Sequence, residues 1–196
     1  MRKTCPGFIL LFIFLAITPQ VSARHGRVLG GNDAASLNLP ISEGPGLLKP
    51  DSPFYFLDLW RDNVGLFLAS FTPETKAKLH LKIAAERIVE VKMMLEAKQV
   101  DAPGLDTALT NITKNIEGAR VVLQTEKKQG RNVAKLASEL NGTLDNQQQA
   151  LRLVTRAGDE KLRFKIKAVE EAIAEDEIEI EDELPEDELE QEIEDE

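Results

Sequence analysis

Sulfur and imidazole are almost missing from this chain. Its 196 residues include one Cys (Cys5), two His (His25 and His80), one Trp and one Tyr. Thiolate and imidazole metal centres need several such ligands together, and a catalytic nucleophile needs a base and a group to orient it. Neither stock exists, and no catalytic residue, metal ligand or cofactor-binding residue is assigned. Gly30-Gly31 has no following Lys and no flanking strand, so it is not a phosphate loop. Long apolar runs are also lacking: residues 8–17 form a run of ten, about half of what crossing the hydrocarbon of a bilayer requires. Cations vanish at the end of the chain. Residues 170–196 hold 17 acidic and no basic residues, against 17 acidic and 22 basic in residues 24–169. The formal charge of −10 therefore belongs to the tail. No basic stripe with interleaved aromatics is present, which argues against nucleic-acid binding. With 42% hydrophobic and 30% charged residues, the chain is neither a wholly disordered polymer nor a multi-span membrane protein.

The first residues carry an export pattern. Arg2 and Lys3 precede the apolar run, and Val21-Ser22-Ala23 places small residues before a cut at Arg24. The reading is a cleaved signal peptide over residues 1–23, with a retained N-terminal membrane anchor as the alternative. The expected location is periplasmic, cell-envelope or secreted. Cys5 lies ahead of the run and not just after it, so it is not a lipid-acceptor Cys. The chain that remains has no Cys, so its stability must come from a packed core.

Residues 24–50, rich in Gly, Pro, Ser and Asn with scattered single hydrophobes, predict a flexible, exposed linker. His25 falls there as a solvated imidazole. Ser52-Pro53 opens a first helix, with Pro at a position where its missing N–H costs nothing. Six of the seven aromatics beyond residue 23 lie in residues 54–71 (Phe54, Tyr55, Phe56, Trp60, Phe67 and Phe71). A helix apolar on most sides is normally covered by others, so this segment is expected to be the central element of the core. The alternative is an interfacial helix with Trp60 and Tyr55 at headgroup depth. Against that, Arg61 is the only basic residue between Lys49 and Lys76. The candidate structural or interaction anchors are Pro53, Phe54, Tyr55, Leu57, Trp60, Phe67 and Phe71.

Thr72-Pro73-Glu74 starts a second helix, on the order of 40 Å long at about 1.5 Å per residue. Its seam Ala77, Leu81, Ala84, Ile88, Val91, Leu95 steps by four and three. A second seam runs Leu105, Leu109, Ile112, Ile116, Ala119, Leu123 and ends at Lys127, Lys128 and Gly130. A third runs from Val133 to Val154 through Leu136, Leu140, Leu144, Gln147 and Leu151. It stays nearly in phase across Asn141-Gly142, which favours one continuous helix. The last is Leu162, Ile166, Val169, Ile173. The fold class predicted is all-α: an elongated bundle of about four to five helices over residues 51–174, with coiled-coil-like seams. His80, off the seam beside Lys78 and Lys82, is expected on the surface. The sequons at Asn111 and Asn141 fall within predicted helices.

Residues 175–196 are expected to be a disordered acidic tail, since like charges at helical spacing repel. It is either a spacer, a partner for basic surface through Glu175, Asp176, Glu177, Asp182 and Glu183, or a diffuse weak cation binder.

The block Pro50-Asp51-Ser52-Pro53-Phe54-Tyr55-Phe56-Leu57, then Leu59-Trp60, Phe71-Thr72-Pro73-Glu74, Leu81, Ala84-Ala85-Glu86-Arg87-Ile88 and Glu90 resembles an exported prokaryotic helical family, domain of unknown function 5667. Asp58 stands where that family commonly carries a basic residue. The resemblance implies an extracytoplasmic all-helical module, sometimes joined to membrane anchors or envelope-stress regulators, with no known activity and no catalytic residues. The function expected is a non-catalytic module for protein interaction or spacing, with an unidentified envelope protein as partner. The alternative is a peripheral membrane-surface protein docking through residues 54–71.

Overall fold

The computed structural model describes residues 37–99 and 101–181. The expected signal peptide, the first part of the expected linker with His25, and the expected tail from residue 182, including Asp182 and Glu183, lie outside the described residues. Five α-helices and no strands make up the described residues: α1 (Tyr55–Ala69), α2 (Pro73–Glu96), α3 (Pro103–Lys128), α4 (Ala134–Ala157) and α5 (Glu160–Glu181).

The helix ends follow from local chemistry. Pro73 and Pro103 open α2 and α3 at positions that need no backbone donor. Gly130, at φ 75°, closes α3 with its N–H on the Lys127 carbonyl, while Arg131 reaches back to that of Glu126. These are the bonds of a left-handed helix stop. Lys98 makes the same turn after α2 at φ 57°, without the freedom of a Gly. Asp159 caps α5 by accepting the Leu162 N–H at 2.8 Å. α4 passes through Asn141-Gly142 unbroken.

Helices α2 to α5 form a four-helix bundle. α2 packs on α3 and α4, and α5 packs on the same two, so α2 and α5 are diagonal. The seam residues Ala77, Leu81, Ala84, Ile88 and Val91 of α2 are buried, as are Leu105, Ile112, Ile116 and Leu123 of α3. Leu140, Leu144, Leu151 and Val154 of α4 join them, with Leu162, Ile166, Val169 and Ile173 of α5. Gln147 occupies a seam position and is buried, its amide donating to the Leu81 carbonyl at 2.7 Å. That bond satisfies half of an amide that would otherwise be costly in a core.

The expectations require corrections at both ends. α5 does not stop at residue 174: it runs to Glu181, with Ile180 fully buried and Asp176 nearly so. Arg120 on α3 pairs with both Asp176 and Glu179, Gln124 donates to Glu179, and Gln148 donates to Glu177. Neighbouring helices supply the partners that the acidic stretch lacks within itself. Burial still pushes the Asp176 carboxyl up, against the pull of Arg120. Of the candidate tail residues, Asp176 is thus spent on the bundle, Glu177 is half-buried, and Glu175 is exposed. Residues 37–50 are not an open linker either: Leu37, Leu39 and Ile41 pack against the core as an irregular strap.

His80 is a third correction. It is half-buried between α2 and α3, its Nδ1 sharing a hydrogen bond of 3.0 Å with Asn115 Oδ1. Its ring lies over Gly118, where a Cβ would come within 2.6 Å of Cε1.

Candidate functional site

α1 packs on the outer side of α2, and it packs inside out. The two helices run antiparallel, Tyr55 lying opposite Glu90 and Gly65 opposite Leu79. The sequence places Tyr55, Asp58 and Asp62 along one stripe of α1. That polar stripe faces inward. Among α1 residues only Tyr55 and Asp58 are buried.

Their partner is Arg87, a fully buried guanidinium on α2. Its Nη1 donates to Asp58 Oδ2 at 3.0 Å and to Glu90, its Nη2 donates to Asp62, and its Nε–H has no partner among the described residues. The Tyr55 ring lies under the guanidinium, 5.2 Å from centroid to Cζ, and its hydroxyl donates to Glu90 Oε2 at 2.7 Å. Arg61 closes the cluster from the solvent side, with 3.0 Å to Asp58, 2.9 Å to Asp62 and 3.3 Å to Glu86.

The strap lies over the cluster. The Gly46 N–H donates to Glu90 at 3.1 Å and the Leu47 N–H to Asp58 at 3.2 Å. A Cβ on Gly46 would stand 2.2 Å from Asp58 Oδ2, so only glycine admits this approach. Beyond it, a cleft of about 230 Å³ separates residues 45–51 from Met93, Met94 and Ala97 of α2.

Burial dominates the electrostatics. It pushes the carboxyls of Glu90 and Glu86 above the usual range, although Arg87 and Arg61 respectively pull them down. It raises the Tyr55 hydroxyl as well, with Glu90 adding to the effect. Burial alone would lower Arg87, but Glu90, Tyr55 and Asp62 outweigh it and hold the guanidinium above its ordinary value. Among the described residues, no group of three or more His, Cys, Asp or Glu is arranged to hold a metal ion. Chemically, the cluster fixes the rotation of α1.

That rotation decides where the rings go, and it overturns the expectation of an aromatic core. Trp60 is 65% exposed, Phe67 70% and Phe71 85%. Phe54, Phe56, Leu57 and Leu68 are exposed too, as is Pro53. Of the candidate anchors only Tyr55 is buried, and it is held by its hydroxyl. The physical reason is that α2 to α5 already fill one another's apolar faces. What α2 still offers on its outer side is Arg87 and Glu90, which must be matched by charge. Sequence reasoning missed Asp62 and Gly46, and noted Asp58 only as a departure from the family pattern. The available signal was the acidic residues at i and i+4, Asp58 and Asp62, in a mostly apolar helix. Arg87 and Glu90 appeared only through the resemblance.

No helix among the described residues is long and apolar enough to cross a membrane. Comparison with curated proteins and with solved structures finds no match. A family model does match: domain of unknown function (DUF5667), over residues 48–195. That span takes in the strap's end, the inverted α1 and all four bundle helices, and the chain belongs to this family.

Proposed function

We propose that the chain is a non-catalytic docking module of the cell envelope, in which the bundle is a rigid mount and α1 is the contact. One observation carries the reading: α1 turns its charges inward and its rings outward. Exposing rings to water while desolvating carboxylates is unfavourable on both counts unless the rings meet a partner. The export pattern of residues 1–23 supports the location.

The test is a photoreactive amino acid in place of Trp60 in the producing cell, with the same probe in place of Lys135, whose side chain is 89% exposed on the bundle, as control. Irradiation is expected to give an adduct from position 60 and none from position 135. No adduct at position 60 would end the proposal.

The exposure of Trp60 also brings forward the second reading, docking on a bilayer surface through the same face. Charge weighs against it. Interfacial helices usually carry cations along their polar flank, and Arg61 is already paired with three carboxylates.

A further inference from the structure

The exposed face of α1 has a symmetry of its own. Counted outward from residue 62, eight of its apolar positions pair off: 60 with 64, 57 with 67, 56 with 68 and, just beyond the helix, 53 with 71; exposed Phe54 stands apart, opposite Ser70. Helical spacing alone lends such symmetry to any apolar stripe. What it does not supply is matching of sizes. In every pair a large side chain stands against a smaller one: Trp60 with Val64, Phe67 with Leu57, Phe56 with Leu68, Phe71 with Pro53. Two copies of α1 laid antiparallel across a twofold axis at residue 62 would set each position against its counterpart, large into small, as close packing requires.

We propose that a second copy of this chain covers the face, through an isologous antiparallel contact between the two α1 helices. The proposal rests on the docking reading above and names its partner. Three further observations support it. The exposed fractions of Phe56, Leu57, Trp60, Phe67, Leu68 and Phe71 amount to on the order of 800 Å². That exceeds the largest apolar patch of an ordinary monomer, about 300–600 Å², and matches the roughly 800 Å² that each partner contributes to a stable interface. The charges of α1 are turned away from the contact, all on Arg87 or within its cluster. The acidic helix α5 lies diagonally across the bundle from α2, which carries α1, so residues 170–181 do not crowd an α1 interface with like charge.

Sedimentation equilibrium of the full chain against a Trp60→Asp/Phe67→Asp variant tests the association. The unaltered chain is expected to be a dimer. The variant, with unchanged helical circular dichroism, should dissociate about 100-fold more readily or sediment as a monomer. Residues 8–17 are themselves able to bring full chains together, so the register is read separately. In a Cys5→Ser background, a Leu57→Cys chain and a Phe67→Cys chain are co-expressed and oxidised. Disulfides should form between the two kinds of chain in preference to within either kind. A monomeric full chain, or equal pairing within and between the two kinds, would overturn the proposal. Flotation on phosphatidylglycerol–phosphatidylethanolamine vesicles separates the failures. A monomer that floats, and ceases to in the double variant, removes the dimer and leaves the docking face standing. A monomer that neither floats nor gives the adduct at position 60 removes both.

Discussion

Arg87 Nη1 donates to Asp58 Oδ2 at 3.0 Å, with neither side chain exposed to water. This pair, extended by Asp62 and Glu90, holds the polar stripe of α1 against α2 and leaves the rings outside. A buried ion cluster contributes less to net stability than to the choice of arrangement, because desolvation offsets most of its attraction.

Removing the cation alone should therefore be severe. Arg87→Met leaves Asp58, Asp62 and Glu90 without their shared partner, and is expected to lower stability by about 3–5 kcal/mol in urea unfolding. Combining it with Asp58→Leu and Glu90→Met should recover much of that loss. A single substitution costing under about 1 kcal/mol would mean that the cluster does not hold α1.

Trp60 behaves oppositely. Its indole is mostly in water in the single chain, so Trp60→Ala should change stability in dilute solution by no more than about 0.5 kcal/mol. Leu123→Ala, at a fully buried position of the bundle, should cost about 2–5 kcal/mol. Equal losses from the two would return the aromatics to the core.

Ending the chain after Ala174 removes buried Ile180 and the Arg120–Asp176 pair. A loss of roughly 2–4 kcal/mol is expected. Ending it after Glu181 keeps both contacts and should retain most of the stability, as followed by thermal unfolding.

His80 gives a pH dependence of known sign. Burial holds its imidazole below the ordinary value, against the hydrogen bond it donates to Asn115 Oδ1, and Lys76 and Lys114 add to the lowering. The unfolded chain takes up this proton near pH 6.5, while the folded chain resists it. The contribution is therefore full above about pH 6.5 and is lost as pH falls through the folded pKa. Glu90 and Glu86, with raised carboxyls, shift stability in the other sense, so the comparison is between His80→Asn and the unaltered chain. The gap between their thermal midpoints should change between pH 7.5 and pH 5.5. The same ring predicts that Gly118→Ala costs about 1–3 kcal/mol, partly recovered when His80→Ala is added.

Local pattern made the bundle legible. The four-and-three seams located α2 to α5, Pro73 marked a start, and Gly130 marked a stop. These features report interactions within one or two helical turns, which is why a linear reading finds them. α5 beyond residue 174 was not legible, because the groups that partner its acids, Arg120, Gln124 and Gln148, lie 29 to 59 positions away in the chain.

By itself, the sequence determined that the chain is helical, how many long helices it has, and which of their faces close on one another, since each helix carries its own apolar stripe. Only the tertiary structure decided which way α1 turns. A ring-bearing stripe and an acidic stripe stand on opposite sides of that helix, and either is able to face inward. The choice fell to Arg87, a buried cation 25 positions beyond Asp62, whose desolvation only carboxylates at hydrogen-bond distance could offset.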